Sequence, residues 1–201
     1  MSTDQIYHAK EDADLDKTYT PYETRRPPGH VPYLVDNLWE WTRPEGYPSR
    51  RHAKFGNPDP QKALRSAKLS SLSQVYRVEF LGTPKIVQMK TDKDARDHDD
   101  CRTLRKRVLK TLDGNGKRHS WVSQDLVQKG VARLLFQPCL TKEEVEWIFD
   151  ESHTLRPHRD EIRSAVDFWG DVVEVEPGNL ANQKGEVIFG YEEGFRLHPT
   201  N

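Results

Sequence analysis

Gly185-Glu186-Val187-Ile188-Phe189-Gly190-Tyr191 is the stretch on which the reading of this chain turns. Val187, Ile188 and Phe189 stand between glycines as a short β-branched and aromatic run, the pattern of a buried strand. Pro177-Gly178-Asn179 ahead of it and Glu192-Glu193-Gly194 behind it supply the loops. Glu186 is the anomaly, because a carboxylate at the mouth of an apolar strand contributes little to packing and is well placed for chemistry. It is the first catalytic candidate. The plainer alternative is a Glu that begins an edge strand and points to water.

Working outward, Val172-Val173-Glu174-Val175 reads as extended, and Val75-Tyr76-Arg77-Val78-Glu79-Phe80 alternates as a half-buried strand does. Gly82-Thr83-Pro84 then turns the chain into a second strand over residues 85–89, as a hairpin. Pro32 to Trp41 is dense in β-branched and aromatic residues and is read as a strand, or a strand with a short turn of helix. Residues 49–55 form a short extended candidate. Asp59-Pro60 has the chemistry of a helix start, predicting a helix over residues 60–69. Helices follow over residues 94–112, 123–135, from Thr141, and over 157–169. Leu104, Val108 and Leu112 lie on one stripe, and Thr141 with Glu144 has capping-box spacing. Trp121, Trp147 and Trp169, set among apolar helix residues, are expected in the core.

The fold class expected is therefore α+β. A small mixed or antiparallel sheet is assembled from early and C-terminal strands, with a helical middle of about residues 94–170 packed on or beside it. Residues 1–30, polar and without apolar periodicity, are read as a mobile arm or surface-wrapping leader, and residues 31–201 as one domain.

Composition narrows the function classes. Of 201 residues 34% are hydrophobic and 31% charged, and 31 Lys and Arg stand against 32 Asp and Glu, so no strong net field draws nucleic acid or an anionic membrane. Two cysteines, Cys101 and Cys139, point to a reducing compartment rather than a disulfide framework. No apolar run approaches the roughly 18–20 residues of a membrane span, and the N-terminus lacks a basic-then-apolar signal. The expected location is cytoplasmic, or a target cytoplasm reached without a cleavable signal, as for an injected toxin or effector. No His-x-x-x-His or His-x-Glu pattern occurs and no metal is expected. Neither a Gly-x-Ser-x-Gly elbow nor a Walker-type loop is present. One local basic patch, residues 102–119, holds Arg102, Arg105, Lys106, Arg107, Lys110, Lys117, Arg118 and His119. It is either a solvated helix face or a grip for an acidic partner or nucleic-acid backbone.

Phe55-Gly56-Asn57-Pro58-Asp59-Pro60 runs from strand to helix through small polar residues, either as an ordinary capped helix entry or as a cradle for an anion or nucleotide. Together with Gly185-Glu186-Val187-Ile188-Phe189 and Phe195-Arg196-Leu197, it resembles the ADP-ribosyltransferase superfamily over residues 33–80 and 172–198. The resemblance implies NAD as substrate and Glu186 in the catalytic place. The family's middle motif falls on Phe55-Gly56-Asn57, and its first on one of Arg43, Arg50, Arg51 or His52. Where members that modify arginine carry Glu or Gln, two residues before the catalytic Glu, this chain has Lys184, so an arginine acceptor is not implied.

Breaking the nicotinamide bond builds positive charge on the ribose. A carboxylate stabilises that oxocarbenium-like state, an Arg neutralises the diphosphate and an aromatic ring stacks on nicotinamide. Candidate NAD-binding residues are thus Arg43, Arg50, Arg51 and Asn57, with the aromatics Trp39, Trp41, Tyr47 and Phe55. The function expected is ADP-ribosyl transfer to a protein, nucleic-acid or small-molecule acceptor. NAD hydrolysis by the same chemistry is one alternative, and a non-enzymatic protein gripping a partner through residues 102–119 is another.

Overall fold

The computed structural model describes residues 5–21, 23–27, 29–112 and 130–200. Among them are seven strands, β1 (Tyr7–Ala9), β2 (Lys54–Gly56), β3 (Val75–Phe80), β4 (Ile86–Met89), β5 (Val172–Val175), β6 (Val187–Phe189) and β7 (Phe195–Pro199). The α-helices are α1 (Tyr33–Thr42), α2 (Pro60–Ser66), α3 (Asp100–Leu112), α4 (Lys142–Glu151) and α5 (Arg159–Ser164). The class is α+β. The chain divides into two compact units, one from residues 1–25, 45–95 and 170–201, the other from residues 26–44 and 96–169.

The first unit holds every strand. They form two antiparallel sheets, ordered β1-β3-β7 and β2-β6-β4-β5. Alternation along β3 and β7 buries Val78, Phe195 and Leu197, while Ile86, Val187 and Phe189 come from the second sheet. These residues close one core with Ile6, Tyr19, Leu180 and Tyr191. The sheets are stitched at a corner where Tyr7 and Asn57 exchange both backbone hydrogen bonds, each 2.9 Å. Gly56 allows that approach, since a Cβ there would stand 2.6 Å from Ile6 Cγ2 and 2.8 Å from the Tyr7 carbonyl oxygen. α2 begins as expected, with Asp59 accepting from the Gln61 and Lys62 backbone N–H groups and Pro60 in the first turn.

The helical unit is built around α1, and here the sequence expectation of a strand is corrected. Leu34, Val35, Leu38, Trp39 and Trp41 are all buried, a spacing of three and four that only a helix brings to one side. Asn37, fully buried on the same helix, donates to the carbonyl oxygens of Leu135 (2.8 Å) and Gln137 (2.7 Å) and accepts from Leu140 N (3.1 Å). α4 carries the expected capping box, Thr141 with Glu144. α3 starts at Asp100 rather than residue 94, after a 3-10 turn over Ala95–Asp97.

Four further expectations differ. The leader is not a loose arm over residues 7–9, since Tyr7, His8 and Ala9 pair with Arg77, Tyr76 and Val75 and Ile6 enters the core. β3 and β4 are strands but not a hairpin: β3 pairs with β1 and β7, and β4 with β5 and β6. Residues 50–52 turn instead of extending, with the His52 and Ala53 N–H groups donating to the Ser49 carbonyl. Trp147 is 49% exposed rather than in the core. Most of the helix expected over residues 123–135 lies outside the described residues. Trp121 and the Lys117, Arg118 and His119 end of the basic patch lie outside them too. Among the described residues no helix is long and apolar enough to cross a membrane.

Candidate active site

β6 is an interior strand, paired with β2 on one side and β4 on the other, so Glu186 does not open an edge strand. The β2–β6 register runs Lys54 to Phe189, Phe55 to Ile188 and Gly56 to Val187. Continued by one residue, it sets Asn57 opposite Glu186. Side chains alternate along strands, so Phe55, Asn57 and Glu186 share one face, away from the Val187 and Phe189 core. On the other flank the Met89 N–H donates to the Glu186 carbonyl at 2.9 Å.

Glu186 is half-buried, and its Oε2 accepts from the Ala95 backbone N–H at 2.8 Å, at the start of the 3-10 turn. A carboxylate at such a turn meets an N–H with no partner inside the turn, which fixes the side chain's direction. The residues just before it form a closely tied turn. Lys184 N donates to Asn182 Oδ1 (2.8 Å), Asn182 Nδ2 to the Lys90 carbonyl (3.0 Å), and Lys62 Nζ to the carbonyls of Asp92 (2.8 Å) and Lys184 (3.3 Å). Gly185 is required by space, because a Cβ would lie 2.1 Å from the Met89 carbonyl oxygen.

The other sequence candidates fall into two groups. Asn57 is only 2% exposed: its Nδ2 donates to the Lys184 carbonyl (3.0 Å) and its Oδ1 accepts from Asp59 N (2.9 Å). It therefore holds the turn that leads to Glu186 instead of presenting an amide to a ligand. Phe55 is half-buried, with the Arg50 guanidinium 5.4 Å from its ring centre. Tyr47 is half-buried in the same unit, and Arg51, at 3% exposure, is buried.

Arg43 and Trp41 belong to the helical unit. Arg43 pairs with Glu40 at 3.0 Å. Trp41 stacks on Phe149 (4.5 Å between ring centres), has Arg163 over its ring at 4.5 Å, and donates Nε1–H to Glu146. Trp39 stacks on Phe168 at 4.0 Å. Both indoles are packing residues. On the basic patch Arg102, Arg105 and Lys106 are exposed, whereas Arg107 binds Asp100 and Asp167.

Sequence reasoning missed Gln88, Asn182 and the Ala95 N–H. A readable signal for the first existed, since Gln88 is the one polar residue within Ile86-Val87-Gln88-Met89. Among the described residues no group of three or more His, Cys, Asp or Glu side chains is placed to hold a metal ion. Compared with protein-family models, with curated proteins and with solved structures, the chain gave no match.

Proposed function

We propose that this chain transfers the ADP-ribosyl group of NAD to an acceptor, with Glu186 as the carboxylate that stabilises positive charge on the ribose. The observation that carries the reading is the pairing of β2 with β6. Phe55-Gly56-Asn57 and Glu186-Val187-Ile188, two of the three segments of the resemblance, lie on neighbouring strands, with Asn57 and Glu186 at the same end and on the same face, while the third, Phe195-Arg196-Leu197, lies in the other sheet. Sequence separation gives no reason for that adjacency, as Asn57 and Lys184 are 127 residues apart.

The chemistry NAD supplies is an activated glycosidic bond: nicotinamide leaves with the bonding electrons, an acceptor lone pair bonds to the ribose carbon, and the acceptor's proton passes to solvent. Glu186 contributes a half-buried negative charge whose direction is fixed by Ala95 N–H, so little reorganisation is needed when charge develops. Arg50, beside the Phe55 ring, is the cation for the diphosphate, and Phe55 or Tyr47 is the aromatic surface for nicotinamide. Asn57 acts indirectly by holding the Lys184 carbonyl. Lys184 stands where arginine-modifying members carry Glu or Gln, so the acceptor in this reading is another nucleophile, water included.

The test is incubation of the purified chain with labelled NAD and a lysate, in parallel with Glu186→Gln. Label moved to macromolecules supports transfer, and nicotinamide released without transfer supports hydrolysis at the same site. Neither product from the wild type sinks the enzyme reading and leaves a protein that grips a partner through residues 102–119.

A further inference from the structure

We infer that Gln88 is a positioning residue for Glu186, an inference that rests on the assignment of Glu186 to the ribose. Gln88 sits in β4, opposite Val187 in the β4–β6 register, and its side chain is 0% exposed. A primary amide in that place is costly unless its donors and acceptor are satisfied, and an apolar residue of similar volume would fill the space without that demand. The amide is committed to one object. Nε2 donates to the Asn182 carbonyl (2.5 Å) and the Gly185 carbonyl (3.1 Å), and Oε1 accepts from Asn182 N (3.0 Å). All three bonds go to the turn that ends where Glu186 begins.

The same turn is gripped from β2 by Asn57 through the Lys184 carbonyl. Gly185, which has no room for a Cβ against Met89, lets the backbone come close enough for Gln88 to reach it. The two amides hold the turn from the strands on either side of β6. The Glu186 backbone is thereby fixed, while Ala95 N–H fixes its carboxylate. A reacting carboxylate has to be held to about 0.5 Å, and an error of about 1 Å costs on the order of 100-fold in rate. Gln88 supplies that restraint without touching the reacting atoms.

Gln88→Met tests this, because methionine keeps the length and packing of the side chain and removes all three hydrogen bonds. The expected result is a folded protein whose kcat for NAD falls about 10- to 100-fold while KM changes by no more than about twofold. The Ala95 and Asn182 amide protons should exchange about tenfold faster, the equivalent of one lost hydrogen bond. A kcat within about twofold of wild type, or unchanged Ala95 exchange, overturns the inference even if Glu186→Gln is inactive. Retained turnover in Glu186→Gln overturns it differently, through its premise, with the exchange rates still reporting on the turn. Should Gln88→Met fail to fold, the wild-type Asn182 amide decides: exchange as fast as in an unstructured peptide overturns the inference.

Discussion

Each unit of this molecule holds a carboxylate against backbone N–H groups, and the two are held differently. In the helical unit Asp100 is 0% exposed. It accepts from Trp39 Nε1 (2.8 Å), Phe168 N (3.1 Å) and Asp167 N (3.2 Å), and also pairs with Arg107. Burial pulls the Arg107 pKa down, yet the hydrogen bond to Asp167 and the charges of Asp100 and Asp167 outweigh it and raise the pKa above its ordinary value. In the sheet unit Glu186 is half-buried at the end of a strand, with Ala95 N–H on its Oε2. A buried anion already matched to a guanidinium, an indole and a helix-adjacent backbone is a fastener. On the function proposed above, a partly exposed carboxylate with a fixed direction is the one that faces the ribose.

That contrast can be broken most forcefully at Asp100. Asp100→Ala removes one of the two carboxylates on a partly buried guanidinium and takes the Asp100 acceptor from Trp39 Nε1, Phe168 N and Asp167 N. The helical unit should lose about 3–5 kcal/mol in urea unfolding followed by near-UV signals of Trp39 and Trp169. A loss below about 1 kcal/mol would mean that the network is not a fastener.

Glu186→Gln should do the opposite. Gln keeps an oxygen for Ala95 N–H, so the melting temperature should stay near wild type. Turnover of NAD should fall about 100–1000-fold, because the charge is gone. Unchanged turnover removes Glu186 from the site, and a large stability loss makes it a second Asp100.

Between these extremes, the capping box of α4 calibrates what an ordinary exposed hydrogen-bonding pair contributes. Thr141→Ala should cost about 1 kcal/mol in chemical denaturation, since Thr141 accepts from Glu144 N at 3.0 Å. No measurable cost would show that the cap adds nothing to α4 in its folded setting.

The smallest effect lies on exposed sheet surface, where His198 Nε2 meets Glu79 Oε2 at 2.7 Å across β3 and β7. The hydrogen bond from His198, and then its charge, lower the Glu79 pKa. A folded value below the unfolded one means a contribution present above the unfolded pKa, roughly 4.3, and lost as pH falls through the lowered folded value. His198→Ala should return the Glu79 carboxyl titration, followed by NMR, toward the ordinary carboxylate range with little change in melting temperature. An unmoved titration would break the pair.

What the sequence made legible follows from how local each signal was. The Asp59-Pro60 entry to α2 and the Thr141–Glu144 box are each contained within a few residues of sequence and were readable. The strand at Val75–Phe80 announced itself by alternation. α1 did not, because Tyr33, Val35, Trp39 and Trp41 are good strand formers, and the helical spacing of the buried residues competes with that preference inside a short window. Partner strands were equally hidden, since Gly82-Thr83-Pro84 looks like a hairpin turn while β3 and β4 belong to separate sheets. Of the candidate site, Glu186 and its neighbour Phe55-Gly56-Asn57 were marked by residue type. The supports at Gln88 and Asn182 come from distant segments, and no local pattern joins them.

The sheet order β2-β6-β4-β5 also sets a schedule for synthesis. β2 and β4 are translated well before the strand between them, Val187–Phe189, which follows both in chain order. Until it arrives, β2 and β4 have no common neighbour, and the edges that will pair with it stand open in the nascent chain. Such long-range closure is the kind of non-local pairing that slows folding, and here it follows from strand order alone.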